Sequence, residues 1–257
     1  MGSDTETTLD GIRDVKVYQN RQGYRFSIDA LLLSSFVNVR HAENIADLGT
    51  GSGIIGLLLA RKYPRAKVLL VELQKSLYAL AEKNIVLNNM EGRVEVLLAD
   101  IKDMKETAQP RFYDLVVSNP PFRKPESGRL SLGEEKAVAR HELRLGFADL
   151  AETASHLLKA RGRFSMIFHP ERLLEVIDVL RRNRLEPKRT RFVHNDPKTG
   201  SKIVLIEAVK EGRAGLRVEK PLFIYNEKGK YTAELNEMYG GKSNGAEDDN
   251  NINPILA

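Results

Sequence analysis

The chain has 257 residues, with 40 Lys and Arg against 35 Asp and Glu, a formal net charge of +5, and no cysteine or tryptophan. That length predicts one domain, and the missing cysteine excludes disulfides, thiolate metal sites, iron–sulfur clusters and a cysteine nucleophile. The longest stretch without a charge, Leu48–Ala60, has only 13 residues, too few for a membrane span, and the start MGSDTETTLD lacks the regions of a signal peptide, so a soluble cytoplasmic protein is expected.

Residues 1–13 read as a flexible start, 14–235 as one domain, and 236–257 as a disordered tail, from its Gly, Ser, Asn and Asp. Val15–Gln19 alternates, Asn20–Gly23 supplies turn residues and Tyr24–Phe26 follows, which predicts a hairpin. Ala30–Val37 is an apolar helix with a polar start. Then short apolar runs alternate with amphipathic stretches. The runs are Asn44–Leu48, Lys67–Val71, Val94–Leu98, Asp114–Ser118, Arg163–Phe168 and Lys202–Val209. The helical stretches are Ile54–Lys62, Lys75–Asn88, Phe147–Lys159 and Glu171–Arg182, the last with Leu173, Leu174, Ile177 and Leu180 near helical spacing. Such alternation predicts a doubly wound, parallel α/β sheet. Leu216–Tyr231, around Asn226–Gly229, reads as a terminal hairpin.

The first strand of the alternation runs into Asp47-Leu-Gly49-Thr-Gly51-Ser-Gly53. Gly51-x-Gly53-x-x-Gly56 also fits a dinucleotide fingerprint, which would set a pyrophosphate on a helix N-terminus. Asp47 at the strand end opposes that reading, because a carboxylate repels a pyrophosphate. It suits a ligand that carries positive charge, such as the sulfonium and ammonium of S-adenosylmethionine. Glu72 ends the second strand, 25 residues after Asp47, and Asp100 the third, 28 residues after Glu72. Ligands of open α/β sheets bind outside the carboxyl ends of the strands, so three acids at three successive ends line one crevice. Glu72 can accept ribose hydroxyls and Asp100 an adenine amino group.

The fourth strand ends in Asn119-Pro120-Pro121-Phe122. Proline fixes φ and presets the direction of neighbouring carbonyls. Asn119 supplies a carboxamide oxygen, Pro120 a carbonyl and Phe122 a flat apolar face. Two acceptors and a stacking platform suit methylation of an exocyclic amine, whose lone pair is otherwise delocalised into the ring. Holding both amine protons frees that lone pair for in-line attack, and positioning of this kind supplies several kcal/mol of a barrier.

The glycine loop, Glu72, Asp100 and Asn119–Phe122 resemble the motifs of class I S-adenosylmethionine-dependent amino-methyltransferases. Longer stretches resemble the tRNA adenine N6-methyltransferases that modify adenine 37 of valine tRNA: Gln22–Leu33, Val71–Gln74, Asn119–Lys124 with Gly128-Arg129, Glu134–Glu142 and Leu185–His194. The resemblance covers about Asp14 to Tyr231. It implies a Rossmann-like, mostly parallel seven-stranded sheet with an N-terminal hairpin and a small C-terminal one. It also implies Phe26 and Asp29 at the border of the cofactor, Asp47, Gly49, Gly51 and Gly53 around its methionine part, Glu72 on the ribose, and Asp100 with the Ile101 backbone on the adenine. Phe122 stands where such motifs commonly have tyrosine, so the platform is kept and a hydroxyl is lost.

For the substrate, Arg123, Lys124 and Arg129 follow the tetrapeptide in a polar stretch suited to phosphates beside a flipped base, and Arg140 and His141 precede the next helix. From Arg181 to Lys202 eight basic residues face two acids, a local charge of +6, while Gly240–Ala257 is −2. Such a segment is a footprint for a polyanion, with Lys188 and Arg189 as its candidate contacts, and the loop His194–Ser201 is a candidate rim. No His, Asp and Glu cluster has metal-ligand spacing, so no metal is expected. The expected partner is tRNA or another structured RNA. The alternatives are a release-factor glutamine N5-methyltransferase, which needs the same two acceptors, and an rRNA amino-methyltransferase. DNA methylation lacks a target-recognition domain. A nicotinamide dehydrogenase or a non-catalytic nucleotide-binding module leaves Asn119–Phe122 without a role.

Overall fold

The apolar runs fold as strands with nearly the expected bounds. A computed structural model of the chain describes residues 7–20, 28–120 and 146–240. In chain order these form β1 (Thr7–Ile12), β2 (Val15–Asn20), α1 (Ile28–Phe36), β3 (Asn44–Leu48), α2 (Ile54–Lys62), β4 (Lys67–Glu72), α3 (Lys75–Leu87), β5 (Val94–Leu98), α4 (Met104–Thr107) and β6 (Tyr113–Ser118). After the undescribed stretch come α5 (146–157), β7 (Leu158–Phe168), α6 (Leu173–Arg182), β8 (Leu185–His194), β9 (Ser201–Lys210), β10 (Arg217–Val218), β11 (Leu222–Phe223) and α7 (Ala233–Met238).

The main sheet has the order β10-β8-β9-β7-β6-β3-β4-β5, with β11 also on β8. Its seven long strands, β3 to β9, match the number the resemblance implies; six of them are the apolar runs, with β7 starting at Leu158 and not Arg163, and β8 is added by the basic segment. The two-residue strands β10 and β11 extend the sheet to nine. β5, β4, β3, β6 and β7 pair in parallel, and β9 inserts antiparallel between β7 and β8. The central strands β3 and β6 are buried almost throughout, as strands covered on both faces must be, which is why they read as continuous apolar runs. One face is packed by α1, α2, α3, α7 and the β1–β2 hairpin, the other by α5 and α6.

Three expectations change. β2 pairs with β1, from Thr7↔Asn20 to Ile12↔Val15, so residues 7–12 are a paired strand within the stretch expected to be flexible; Tyr24–Phe26, the expected partner of Val15–Gln19, lies outside the described residues. The exposed residues of TTLDGI carry no apolar alternation to announce it. The C-terminal segment adds β10 and β11 parallel to β8, and only the Tyr225↔Tyr231 bridge closes antiparallel. The domain also runs past residue 235: α7 ends at Met238, and Tyr239 stacks on Tyr231 with ring centres 5.9 Å apart. Residues 241–257 lie outside the described residues. On α6 the buried face is Val176, Val179 and Leu180, and Leu174 points to solvent.

Two lysines close helix ends inside the fold. Lys62 donates to Ser34 O at 3.0 Å and also to Val37 O, at the carboxyl end of α1. Burial, with Arg13 and Arg189 nearby, lowers its pKa to about 8. Lys210 likewise reaches Ser155 O and Leu158 O at the end of α5. Both complement the negative end of a helix dipole. No helix of the described residues is long and apolar enough to cross a membrane.

Candidate active site

The chain leaves β3 for β4 and β5 on one side, then crosses back to β6 on the other. β3 and β6 therefore flank a topological switch point, where the loops after the two strands part and open a crevice. The register Asp47↔Val117 sets Asn119 two residues beyond the partner of Asp47. Ser118 Oγ donates to Leu48 O at 2.7 Å and clamps the two strand ends together.

Asp47 is fully buried. Its Oδ2 accepts from Thr50 Oγ1 at 2.6 Å and from Gly56 N at 3.0 Å. Its Oδ1 is buried with no hydrogen-bond partner. Burial pushes the pKa of Asp47 up to about 7; the Thr50 and Gly56 bonds oppose the rise and the Glu72 charge adds to it. A buried acceptor without a partner is costly and marks a place for a donor or a cation.

The glycine loop folds over β4, with Gly49 N and Thr50 N both donating to Val71 O, at 2.9 and 3.0 Å. Gly49, Gly51 and Gly53 all have positive φ, at 73°, 63° and 91°, conformations that a side chain disfavours. A Cβ on Gly51 would point into open space, so at that residue none of the described residues crowds the backbone. Gly56 is different: a Cβ there would lie 2.1 Å from Leu70 Cδ2. It lets α2 lie close on β4 and gives its N–H to Asp47.

Glu72 is 5% exposed and spreads its carboxylate between two backbone donors, Gly51 N to Oε2 at 2.9 Å and Gln74 N to Oε1 at 2.8 Å. The next residue, Leu73, is exposed beside the crevice. Asp100 caps the 3-10 turn Ile101–Asp103, with Oδ1 accepting from Lys102 N at 2.9 Å. Ile101 Cδ1 lies 3.8 Å from where a Gly49 Cβ would be, and Thr153 Oγ1 donates to Ile101 O at 3.1 Å. Asp47, Gly49, Gly51, Gly53, Glu72, Asp100, Ile101, Asn119 and Pro120 thus share the carboxyl edge of the sheet. Asp29 stands in the first turn of α1. Phe26, Pro121, Phe122, Arg123, Lys124, Arg129, Arg140 and His141 lie outside the described residues.

The two basic candidates of β8 go elsewhere. The Arg189 side chain is 13% exposed, bonds Glu207 and Glu219, donates to Phe36 O at 2.5 Å and covers the Phe36 ring at 4.0 Å. It braces the interior and offers no free charge to a phosphate. Lys188 lies toward the amino end of β8 and donates to Arg213 O at 3.0 Å. Arg181, Arg182 and Arg191 pair with Glu186, Asp178 and Glu234. What stays at the carboxyl edge is the β8–β9 turn, with Lys198 and Lys202 and a backbone held by His194 Nδ1 against Thr199 O at 2.8 Å. Sequence reasoning missed Thr50, Gly56 and Ser118 as parts of the site. Gly56 carried a signal, as the third glycine of Gly51-x-Gly53-x-x-Gly56.

A switch-point crevice with a glycine loop, an orphaned buried acid and a strand-end Asn-Pro defines a class I methyltransferase that uses S-adenosylmethionine. The profile of the methyltransferase small domain matches residues 27–172. A tRNA1(Val) (adenine(37)-N6)-methyltransferase of Pedobacter heparinus is 31% identical over 189 residues, 72% of this chain and 76% of the relative. One of the same name from Trichodesmium erythraeum is 32% identical, covering 76% of this chain and 81% of the relative. A crystal structure of a predicted O-methyltransferase from Agrobacterium tumefaciens superimposes with a TM-score of 0.68 at 26% identity, over 83% of this chain and 96% of the other. The chain belongs to the methyltransferase small-domain family of these tRNA-methyltransferase relatives.

Proposed function

We propose that the protein methylates the N6 amine of an adenine in tRNA, adenine 37 of valine tRNA by the names of its relatives, and does so in the cytoplasm. The observation that carries the reading is the register that sets Asn119-Pro120 beside Asp47 and the glycine loop at the switch point. The residues present fit the cofactor: Oδ1 of Asp47 has no partner among the described residues, and the Gly51 backbone is open among them. Asp47 and the loop would hold its methionine end, Glu72 the ribose, and Asp100 with Ile101 the adenine. When bound, S-adenosylmethionine supplies an electrophilic methyl group on a sulfonium.

Asn119 Oδ1 and the Pro120 carbonyl accept the two protons of the substrate amine. That draws the nitrogen toward tetrahedral geometry and aims its lone pair at the methyl carbon. Phe122 fixes the base plane by stacking, worth about 1–3 kcal/mol. With that methyl donor bound, the amine would take up the methyl group as the thioether leaves, and the cationic product would lose a proton to water without a protein base. Lys198 and Lys202, at the same edge, would meet tRNA phosphates.

The test is incubation with methyl-labelled S-adenosylmethionine and unmodified total tRNA, followed by digestion to nucleosides. Label is expected in N6-methyladenosine, and Asn119→Ala should keep cofactor affinity while lowering turnover at least 100-fold. Label in protein alone, or in no tRNA, would contradict the reading.

A further inference from the structure

α3 and its C-cap carry two buried asparagines one turn apart, Asn84 within the helix and Asn88 at the cap. Each treats β2 as a neighbouring strand would. Asn84 Oδ1 accepts from Tyr18 N at 2.6 Å, and its Nδ2 donates to Tyr18 O at 3.1 Å. Asn88 repeats this with Lys16, accepting from its N at 3.0 Å and donating to its O at 2.6 Å. Residues four apart on a helix are about 6 Å apart, and residues two apart on a strand about 6.6 Å. Two amides on α3 therefore continue the ladder along the edge of β2 that β1 does not cover.

The second amide hydrogen separates the two residues. Asn88 returns it to the helix, to Asn84 O at 2.7 Å. Asn84 sends it to the glycine loop, to Ser52 O at 2.9 Å. Ser52 lies between Gly51 and Gly53, both at positive φ, so the glycines leave the peptide between Ser52 and Gly53 free to turn. Its two polar groups are fixed by Gly53 N on Thr50 O at 3.2 Å and by the bond from Asn84. One residue earlier, Gly51 N holds the Glu72 carboxylate.

We propose that Asn84 is a positioning residue for the cofactor loop, and that it joins docking of the N-terminal hairpin and binding of the cofactor into one coupled event. The coupling is reciprocal. A seated hairpin orders the loop for the ligand, and a bound ligand tightens the hairpin. It rests on the glycine loop being the S-adenosylmethionine site.

Asn84→Asp keeps the acceptor for Tyr18 N and removes the donors to Tyr18 O and Ser52 O. Asn88→Asp makes the same change against Lys16 without touching the loop. One buried hydrogen bond corresponds to a change of about five- to tenfold in an equilibrium. Calorimetry with S-adenosylhomocysteine should find Asn84→Asp weaker by that factor. Asn88→Asp should change affinity less than twofold while losing comparable thermal stability. In the wild type, the same ligand should slow hydrogen exchange at the Lys16 and Tyr18 amides, a readout that needs no variant. Equal affinity losses in the two variants overturn the proposal and leave the cofactor assignment standing. So does wild-type hairpin exchange that ignores a ligand bound in the same sample.

Discussion

Asp47 and Glu72, at the carboxyl ends of β3 and β4, are buried as deeply as Glu207 on β9, with exposures of 0%, 5% and 2%. Glu207 is met by two guanidiniums, Arg163 and Arg189, and Arg189 is shared with Glu219. Asp47 and Glu72 meet only a threonine hydroxyl and backbone N–H groups, with no ion pair to any described residue. Burying a carboxylate without a cation is unfavourable. The fold avoids it for Glu207 and accepts it at the crevice. On the proposed reading Asp47 meets the positive charge of the ligand and Glu72 the ribose hydroxyls, so one acid serves the scaffold and two serve the site.

The contrast breaks most visibly on the scaffold side. Arg189→Ala leaves Glu207 with a single partner and removes the cover of Phe36. It should destabilise the protein by about 3–5 kcal/mol, seen as a fall in melting temperature of roughly 10 °C. A loss under 1 kcal/mol in a denaturant titration would mean that the cluster is decorative. On the site side, Asp47→Asn should weaken S-adenosylmethionine binding by about 30-fold or more, as expected when one partner of a buried charge pair is removed. Unchanged affinity by calorimetry would take Asp47 out of the site.

The basic residues of β8 divide in the same way. Lys198→Glu with Lys202→Glu should weaken tRNA binding and lower its salt slope by about 1 for each phosphate no longer neutralised. Lys188→Glu, toward the other end of the strand, should leave the slope unchanged. The smallest expected effect is on the ligand-free protein. Asp47 has its folded pKa raised from 3.8 to about 7, so the native state holds the proton more tightly than the unfolded chain. Its contribution to stability is fully present below about pH 4 and is lost as pH rises through about 7. Asp47→Asn should remove that dependence and raise stability at pH 8, measured by denaturant unfolding across pH.

The sequence makes the site more legible than its surroundings. β3 and α2 have the expected bounds because two-sided burial and helical spacing leave unmistakable apolar runs, and β5 has them too because Val94, Val96, Leu97 and Leu98 read as a strand although only Val94 is buried. Asp47, Glu72 and Asp100 could be placed because strand ends fix where ligands bind in such sheets. β1 could not, since its residues are largely exposed and it is held by backbone pairing to β2. β10 and β11 are two residues each, too short for any period. The basic segment misled because charge counted along the chain omits acids that reach it from elsewhere. Glu207, Glu219 and Glu234 neutralise Arg189 and Arg191 only once β9, the segment after β10 and α7 are assembled around β8. Asn84 gave no signal, because an asparagine inside a helix reads as a weak helix former until its partners are seen.

The central claim, that Asp47 takes up the positive charge of the ligand, is tested most directly by proton release. S-adenosylmethionine binding is measured by calorimetry at pH 7 in two buffers of different ionisation enthalpy, for wild type and Asp47→Asn. The wild type should release about half a proton more than the variant, because a carboxyl titrating near 7 is driven to its charged form by an arriving cation. Equal proton release by the two proteins, each with the cofactor bound, would show that Asp47 does not take the ligand's charge.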